Sequence, residues 1–384
     1  MSYIILLSGD RANFTTVSFD ANKKKLAVTA DYPSPFNASW VEPSSSLGPI
    51  NRLIGLSEGI ESGSLYTFEI DHQQKTSKIT SLQTTLGAPA HFITLQDKSA
   101  LALGTYLGGS VALYPISITE PTGLLLADTP KTEVFPEFPY KALGHGPNEG
   151  RQRQCHVHQV LEDKRGFLYA PDLGADRVWI LKRDQVKLDL CGWLQCPPGT
   201  GARHAVFGLE EKIMYVIGEL SHTVVAFDLS TSPEEDTQPI DGFVHNIIPP
   251  NVHLDHHFMM DSSELCAHPK IPNILYASNR WERHIRERQP DLKTVPEVPG
   301  GDSIAILLLS ADGRKLEKMK HVRTKVDTIR GMRVSDDGKY VVVLGQEGGG
   351  IEVYGINGER GDIWNLVAGL DEGLERGIKH AVWL

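Results

Sequence analysis

Eight polar residues stand at corresponding places in a repeated pattern, and their side chains are of types that can do chemistry. Histidine exchanges a proton near neutral pH, glutamate can serve as an acid or a base, and arginine holds anions through paired hydrogen bonds. The candidates are His91, His158, Arg203, His204, Glu219, Glu264, Arg280 and Gln346. Together they suit proton transfer on a small anionic molecule.

The repeated pattern is a stretch of about 15 residues that opens on a polar residue or glycine and closes on a second polar residue. Its interior alternates apolar and polar positions, as at Met214 and Val216, which is typical of β-strands. Five copies open at His91, His158, His204, Glu264 and Gly331, and they close at Tyr106, Asp172, Glu219, Arg280 and Gln346. Because equivalent strand ends of a repeated fold lie on one face, we expect these polar ends to meet there.

The spacing of the copies predicts the fold. They open about 46 to 67 residues apart, which is typical of four-stranded β-propeller blades and divides the chain into about seven. We therefore expect an all-β chain, with residues 1–384 forming a single seven-bladed β-propeller domain. The C-terminal strand IKHAVWL is too short for a blade, so we expect it to pair with Tyr3–Leu7 and close the ring. Segments of loop-like composition predict long loops near 33–63, 135–153, 232–258 and 284–301.

Composition restricts the partners and the compartment. A formal charge of −10 disfavours a nucleic-acid partner, although a local group of arginines can still bind a small anionic metabolite. No window approaches 18 apolar residues, so we expect no membrane partner, and no basic segment marks the N-terminus as a signal peptide. Four sparse cysteines suit a reduced, cytoplasmic protein. The sequence leaves homo-oligomer formation open.

A histidine-rich segment resembles a metal site only superficially. His253, His256 and His257 lie close together, but the segment has no helical pattern and no assigned fourth ligand. We therefore expect neither a metal ion nor any other cofactor.

Several motifs together resemble the seven-bladed β-propeller lactonase family. They are GHGPNEGRQRQCHVHQV, APDLGADRVWI, GARHAVF, GELSHTVVAF, ELCAH with LYASNR, and TIRGMRVSDDGKYVVVLGQ. The similarity runs from about Gly87 to Leu384, and the first 60 residues are only weakly similar. This family contains 6-phosphogluconolactonases and the fungal 3-carboxy-cis,cis-muconate lactonizing enzyme, a carboxymuconate cyclase. The resemblance therefore implies an enzyme that acts on a lactone of a small polyanionic sugar acid or dicarboxylic acid, without a metal.

Carried over residue by residue, the resemblance implies a catalytic set of His158, Arg203, Glu219 and Arg280. The arginines would hold the substrate's anionic groups or a developing oxyanion, and either His158 or Glu219 would transfer the proton. The remaining candidates would bind substrate or shape the pocket: His91, His204, Glu264 and Gln346.

Three alternatives stay open at this point. Cyclisation to a muconolactone would use the same groups in the opposite sense to hydrolysis. A propeller of this kind could also bind a metabolite without catalysis, although such a module has no need of the four-residue set. Finally, Arg203 could pair with Glu219 as a purely structural salt bridge.

Overall fold

A computed structural model describes residues 2–47, 50–119, 123–126, 131–184, 187–233, 236–288, 291–293 and 297–384. It contains seven four-stranded antiparallel sheets arranged as the blades of a ring, which confirms the predicted seven-bladed β-propeller. Helix is restricted to short segments between strands. Among the described residues, no helix has both the length and the apolar character that crossing a membrane requires.

Each blade runs from an innermost strand at the axis to an outermost strand, and the strands are numbered along the chain. Blade 1 contains β1 (Ser2–Gly9), β2 (Asn13–Asp20) and β3 (Lys25–Pro33), and blade 2 contains β4 (Trp40–Leu47), β5 (Ile50–Ser57), β6 (Ser62–Asp71) and β7 (Thr76–Leu86). Blade 3 contains β8 (Pro89–Thr94), β9 (Ala100–Thr105), β10 (Ser110–Pro115) and β11 (Thr132–Val134). Blade 4 contains β12 (Leu161–Glu162), β13 (Phe167–Asp172), β14 (Arg177–Asp184) and β15 (Lys187–Gln195).

The remaining blades follow the same order. Blade 5 contains β16 (Ala202–Phe207), β17 (Ile213–Gly218), β18 (Thr223–Asp228) and β19 (Val244–Asn246), and blade 6 contains β20 (Asp261–Ala267), β21 (Ile274–Arg280), β22 (Ser303–Leu309) and β23 (Leu316–Arg323). Blade 7 contains β24 (Asp327–Val334), β25 (Tyr340–Gly348), β26 (Ile351–Asn357) and β27 (Ile363–Leu370). The last strand, β28 (Ile378–Trp383), returns to blade 1 as its innermost strand.

The predicted closure of the ring is confirmed. Strand β28 pairs antiparallel with β1, and Leu6 lies opposite Val382 while Leu7 lies opposite Ala381. The first and last strands of the chain therefore share one sheet. This pairing gives both terminal strands a hydrogen-bonded neighbour and covers edges that an open ring would expose.

The hydrophobic core is distributed around the ring. Among the described residues, seven apolar clusters each join two neighbouring blades. The cluster between blades 2 and 3, for example, packs Ile54 and Leu65 against Phe92 and Leu103. Alternating side chains of each sheet enter the interfaces on its two faces, which explains the two-residue period of the sequence. This packing leaves the strand ends near the axis available for polar residues.

The predicted loop at 33–63 is wrong. It contains β4 and β5, the two innermost strands of blade 2. Proline in this segment was interpreted as a sign of a loop. Pro43 lies at an irregularity in the β4–β5 pairing, where its missing backbone N–H removes no regular hydrogen bond between the strands. Short polar residues can also occupy strand positions that need not fill a core.

The other three predicted loops have different contents. The segment 135–153 contains no described strand, whereas 232–258 includes β19 and a short 3₁₀ helix at Leu254–Met259. The segment 284–301 includes a one-turn helix, α1 (Ile285–Arg288). Parts of these predictions, at 234–235, 289–290 and 294–296, lie outside the described residues. Ile248 and Ile285 share a small apolar cluster, so the last two segments pack against each other.

The lack of a side chain at Gly331 should be required for the close packing of blade 7 against blade 1. A Cβ atom added there would lie 2.3 Å from the backbone oxygen of Lys379, a contact that only backbone movement could relieve. We expect Gly331→Ala to lower the free energy of unfolding by about 1–3 kcal/mol, measured by urea denaturation. Gly300→Ala is the control, because a Cβ at Gly300 meets no atom within 4 Å. Equal stability of the two variants would contradict this account.

Candidate active site

A recurrent β-bulge shapes the inner ends of the blades. In β8 one extra residue, Ala90, lies between the positions that pair with β9, and Arg203 of β16 and Arg330 of β24 occupy equivalent places. Lys379 has the same position in β28. A bulge places an additional residue on one strand and redirects its side chain. Three of the opening residues therefore directly follow a bulge residue, namely His91, His204 and Gly331, and of these bulge residues the sequence had singled out Arg203.

Aromatic side chains at the inner ends of the blades form a largely buried cluster on the axis, which we call the axial cluster: Trp40, His91, His158, His204 and His380. The Trp40 ring centroid lies 4.3 Å from that of His91 and 4.0 Å from that of His380. Burial lowers the pKa of all four histidines, and it lowers that of His380 to about 4. The axial cluster is therefore largely uncharged at neutral pH.

Glu264 anchors the axial cluster. Its carboxylate lies 2.6 Å from His204 Nδ1, and its backbone N–H donates to Ser278 Oγ at 2.9 Å. Burial raises the pKa of Glu264, but the opposing interactions with His204 and Arg203 bring it below its usual value. Glu264 and His204 therefore brace each other beneath the cavity.

A cavity of about 220 Å³ opens above the axial cluster. This volume lies below the range of ~300–1,000 Å³ that is typical of drug-sized ligands, so it suits a small metabolite. The residues that line it are Glu58, Ala88, Ala90, Tyr106, Arg151, His158, Glu219 and Arg330. Two of the four catalytic candidates, His158 and Glu219, thus form its wall.

The other two catalytic candidates contact Glu219 from behind the wall. Arg203 Nε lies 2.8 Å from Glu219 Oε2, and Arg280 Nη2 lies 3.0 Å from Glu219 Oε1. Arg151 also donates a hydrogen bond to Oε1. Glu219 and these three arginines, which we call the arginine cluster, come from blades 5 and 6 and from the loop before blade 4. The structure therefore brings the whole predicted set together.

The charge state of Glu219 follows from its neighbours. Burial raises the pKa of its carboxyl group, but the positive charges of Arg280, Arg151 and Arg203 outweigh burial and hold that pKa well below its usual value. Asp261, 3.8 Å from Arg280 and 3.9 Å from Arg151, adds a second carboxylate. The suspected Arg203–Glu219 salt bridge is thus present, and it belongs to a wider network that faces the cavity.

His158 differs from the arginine cluster because its ring is incompletely paired. Its Nδ1 is buried and has no hydrogen-bond partner among the described residues, while its backbone N–H donates to the Pro171 oxygen at 2.9 Å. Burial lowers the pKa of His158 well below its usual value, and the charge of Arg203 acts in the same direction. The cavity wall therefore presents a neutral imidazole that can accept a proton.

Four predicted substrate-binding residues lie elsewhere. His91, His204 and Glu264 are buried and are absent from the residues that line the cavity. Gln346 is half-buried, and its backbone oxygen accepts a hydrogen bond from the Gly377 N–H at 2.8 Å. Their assignment as substrate ligands stays a prediction, and their contacts give the first three a bracing position.

Sequence reasoning missed Tyr106, Arg151 and Arg330 as site residues. Tyr106 closes the first repeat, in the register of Glu219 and Arg280, so its position carried a usable signal. Arg151 lies in an irregular loop, where no periodicity could identify it. Arg330 directly precedes Gly331, the first residue of the last repeat. It could have been identified as a site residue only if the bulge at this position had been known.

The histidine-rich segment lies apart from the cavity wall. His253 is half-exposed and its Nδ1 accepts a hydrogen bond from the Asp255 N–H at 3.2 Å. In the part of the chain that the structure describes, no three His, Cys, Asp or Glu side chains are grouped closely enough to hold a metal ion.

Removal of the Glu219 carboxylate should destabilise the fold, because three arginines would keep their charges in a largely buried network. We expect Glu219→Ala to lower the free energy of unfolding in urea by about 3–5 kcal/mol. Glu317→Ala is the control, because the exposed Glu317–Arg360 pair should contribute less than about 1 kcal/mol. A loss in Glu219→Ala no larger than in the control would show that the network does not need this carboxylate.

Comparison with known proteins gives this site a family context. The family model "Lactonase, 7-bladed beta-propeller" matches residues 7–373 and so includes the first blades, which the motifs alone covered poorly. A protein named "Probable 6-phosphogluconolactonase" from Arthroderma benhamiae is 27% identical over 94% of this chain and 84% of its own length. A 6-phosphogluconolactonase from Formosa agariphila is 23% identical over 91% of this chain and 90% of its own length.

A solved structure shows the same fold at lower sequence similarity. The Pseudomonas aeruginosa periplasmic gluconolactonase PpgL superposes with a TM-score of 0.75 and 18% identity over 100% of this chain and 99% of its own. The extent of the family match and the shared architecture confirm the resemblance seen in the motifs. The chain belongs to the seven-bladed β-propeller lactonase family.

Proposed function

We propose that the protein hydrolyses the lactone ring of a small anionic sugar acid. Two of its relatives carry the name 6-phosphogluconolactonase, which describes a reaction of this kind. The observation that carries this proposal is the placement of a neutral, incompletely paired His158 beside the arginine cluster in one small cavity. Hydrolysis needs a base for water and a cationic donor for the oxyanion, and these two features supply them.

The first step is attack by water on the lactone carbonyl carbon. His158 accepts a proton from the water as the water oxygen forms its bond to carbon, and the carbonyl electron pair moves onto oxygen. Because burial keeps the imidazole neutral, its base form is fully populated at neutral pH. Its low pKa limits its strength as a base, so electrostatic stabilisation of the oxyanion must supply much of the rate enhancement.

Arginine supplies that stabilisation. Arg151 lines the cavity and is fixed there by hydrogen bonds that it donates to Glu219 and Tyr106, while the charges of Arg203 and Arg280 lie behind Glu219. A fixed cationic donor of this kind stabilises a negative oxygen strongly in a site that excludes water. When the tetrahedral intermediate collapses, the bond from carbon to the ring oxygen breaks. The leaving oxygen then takes the proton from His158, which regenerates the base.

Glu219 has a positioning role in this scheme. Its carboxylate is held ionised by several arginines, so it is a poor proton acceptor at neutral pH. It instead fixes the orientation of Arg203 and Arg280 through separate oxygens. This assigns the proton transfer to His158, an alternative that the sequence had left open.

Hydrolysis is favoured over cyclisation by the same properties. Formation of a muconolactone requires an acid that protonates carbon. Because its pKa is strongly lowered, His158 is neutral at neutral pH and lacks the imidazolium proton that such an acid would donate. The scheme uses only protein side chains and water, and metal independence is part of the proposal. The substrate would be a small anionic metabolite, and a cytoplasmic location would suit it.

Replacement of His158 should remove most of the activity. We expect His158→Gln to lower kcat for 6-phosphogluconolactone by about 10²–10⁴-fold with a much smaller change in KM. The rate can be measured from the release of protons or from the formation of the product. The control is His253→Gln, because His253 is half-exposed and does not line the cavity. A fully active His158→Gln variant would exclude this base, and an inactive wild-type protein would refute the proposed hydrolysis.

The pH profile provides a separate test. A lowered pKa means that His158 stays neutral, and thus competent as a base, at pH values where an ordinary histidine becomes protonated. After correction for spontaneous hydrolysis, we expect kcat/KM to be constant from pH 7 to below the ordinary histidine value of about 6.5. An acid limb centred at or above that pH would contradict the assignment.

A further inference from the structure

Tyr106 brings a phenol hydroxyl group to the cavity wall. Its side chain lines the cavity together with Arg151, His158 and Glu219. The centroid of its ring lies 5.8 Å from that of His158, and its Oη accepts a hydrogen bond from Arg151 Nη2 at 3.4 Å. Tyr106 is therefore adjacent to both the proposed base and the cation that faces the substrate.

The hydroxyl proton of Tyr106 is available to a ligand. A guanidinium group can only donate hydrogen bonds, so the hydroxyl oxygen is the acceptor in its contact with Arg151. Among the residues that the structure describes, this hydroxyl group donates to no acceptor. Burial raises the pKa of Tyr106, although the charge of Arg151 opposes this effect, so the group keeps its proton at neutral pH. Tyr106 thus presents a neutral donor to the cavity.

The ring of Tyr106 is held by contacts that do not involve its hydroxyl group. The ring stacks on that of His156, with centroids 4.3 Å apart and an interplanar angle of 18°. His156 Nδ1 donates to the Tyr106 backbone oxygen at 2.7 Å, and the Tyr106 N–H donates to the Ala88 oxygen at 2.8 Å. The His156 backbone N–H in turn donates to Asp172 Oδ1 at 2.7 Å. Phenylalanine at position 106 could keep all of these contacts.

The proposed hydrolysis needs donors that are fixed before charge develops on the carbonyl oxygen. Arg151 supplies one such donor group, but its Nη2 already donates to both Glu219 and Tyr106. The same contact prepares Tyr106, because an oxygen that accepts a hydrogen bond from a cation is polarised and its O–H becomes a stronger donor. A tyrosine hydroxyl group is among the side-chain groups that stabilise a negative oxygen in acyl transfer. Tyr106 therefore has both the position and the chemistry of a second oxyanion donor.

We propose that Tyr106 is a catalytic residue whose hydroxyl group donates a hydrogen bond to the lactone carbonyl oxygen as that oxygen becomes negative. The inference rests on the proposed lactone hydrolysis and adds a neutral donor beside Arg151. Tyr106 keeps its proton throughout. The carbonyl electron pair moves onto oxygen when water attacks, and it returns to form the carboxyl group when the bond from carbon to the ring oxygen breaks. Proton transfer stays with His158.

Tyr106→Phe tests this role because it removes the hydroxyl group and leaves the ring. A donor that acts mainly in the transition state affects kcat and has little effect on KM. We therefore expect Tyr106→Phe to lower kcat for 6-phosphogluconolactone by about 10²–10³-fold, with little change in KM. An unchanged kcat, or a rise in KM without a loss of kcat, would overturn the assignment.

The pH profile separates an oxyanion donor from a disturbance of the base. The Tyr106 hydroxyl group does not titrate near neutral pH, since burial raises its pKa. Tyr106→Phe should therefore lower kcat/KM by the same factor at every pH from 7 to below about 6.5, the ordinary histidine value. If the substitution acted by displacing His158, the acid limb of the profile would move as well, and such a shift would overturn the proposal.

Tyr114→Phe is the matched control. The Tyr114 hydroxyl group also accepts a hydrogen bond from a cation at 3.4 Å, in this case Lys131 Nζ, and it donates to the Thr84 oxygen at 3.3 Å. Tyr114 lies outside the cavity wall, so its variant should keep the wild-type kcat. Urea denaturation of both variants shows whether they are folded at the assay temperature. An equal loss of kcat in the two variants would assign the effect to stability and overturn the catalytic role.

Failure of the Tyr106 assignment and failure of the proposed function give different results. If the wild type does not hydrolyse the lactone, the proposed hydrolysis is refuted and the role of Tyr106 is refuted with it. If the wild type is active, His158→Gln is inactive and Tyr106→Phe is as active as Tyr114→Phe, hydrolysis stands and only the role of Tyr106 is refuted. A selective loss of kcat in Tyr106→Phe, with the pH profile unchanged in shape, supports both.

Discussion

The site depends on one buried carboxylate. Glu219 holds Arg203 and Arg280 through separate oxygens and also accepts a hydrogen bond from Arg151. Several buried cations in so small a volume would repel one another, and burial disfavours each charge unless it is paired. Because the partners come from blades 5 and 6 and from the loop before blade 4, the network forms only when these neighbouring parts of the ring pack together. Stability of the ring and organisation of the cavity are therefore coupled through this residue.

The bulges of the innermost strands separate two kinds of chemistry. Residues after the bulges, such as His91, His204 and His380, are buried on the axis and largely neutral. Bulge residues in blades 1, 5 and 7 are cationic, whereas blade 3 has Ala90 at this place. In a regular strand, neighbouring side chains point to opposite faces of the sheet. The one added residue of each bulge changes this alternation, so the bulge residue and the residue after it can both lie near the axis.

Much of the architecture was predictable because its cause is local. Alternating apolar residues specify strands, and the spacing of polar strand ends specified blades. The prediction failed at β4, where Pro43 and several serines resembled a loop, because composition does not show that an irregular position can tolerate proline. It also overlooked Arg330, since a bulge changes which residue reaches the cavity without changing the apolar pattern.

The sequence by itself determined the all-β propeller, its closure by the terminal strands and a four-residue set that includes His158 and Glu219. The architecture follows from periodicity, whereas the four-residue set was implied by the resemblance of the motifs to the lactonase family. Only the tertiary structure decided which groups share charge and space: it placed Arg151 against Glu219, buried His204 with Glu264, and left the Arg330 guanidinium facing the cavity. Protonation and pairing depend on burial and on distances between blades, and no local pattern of residues encodes those quantities.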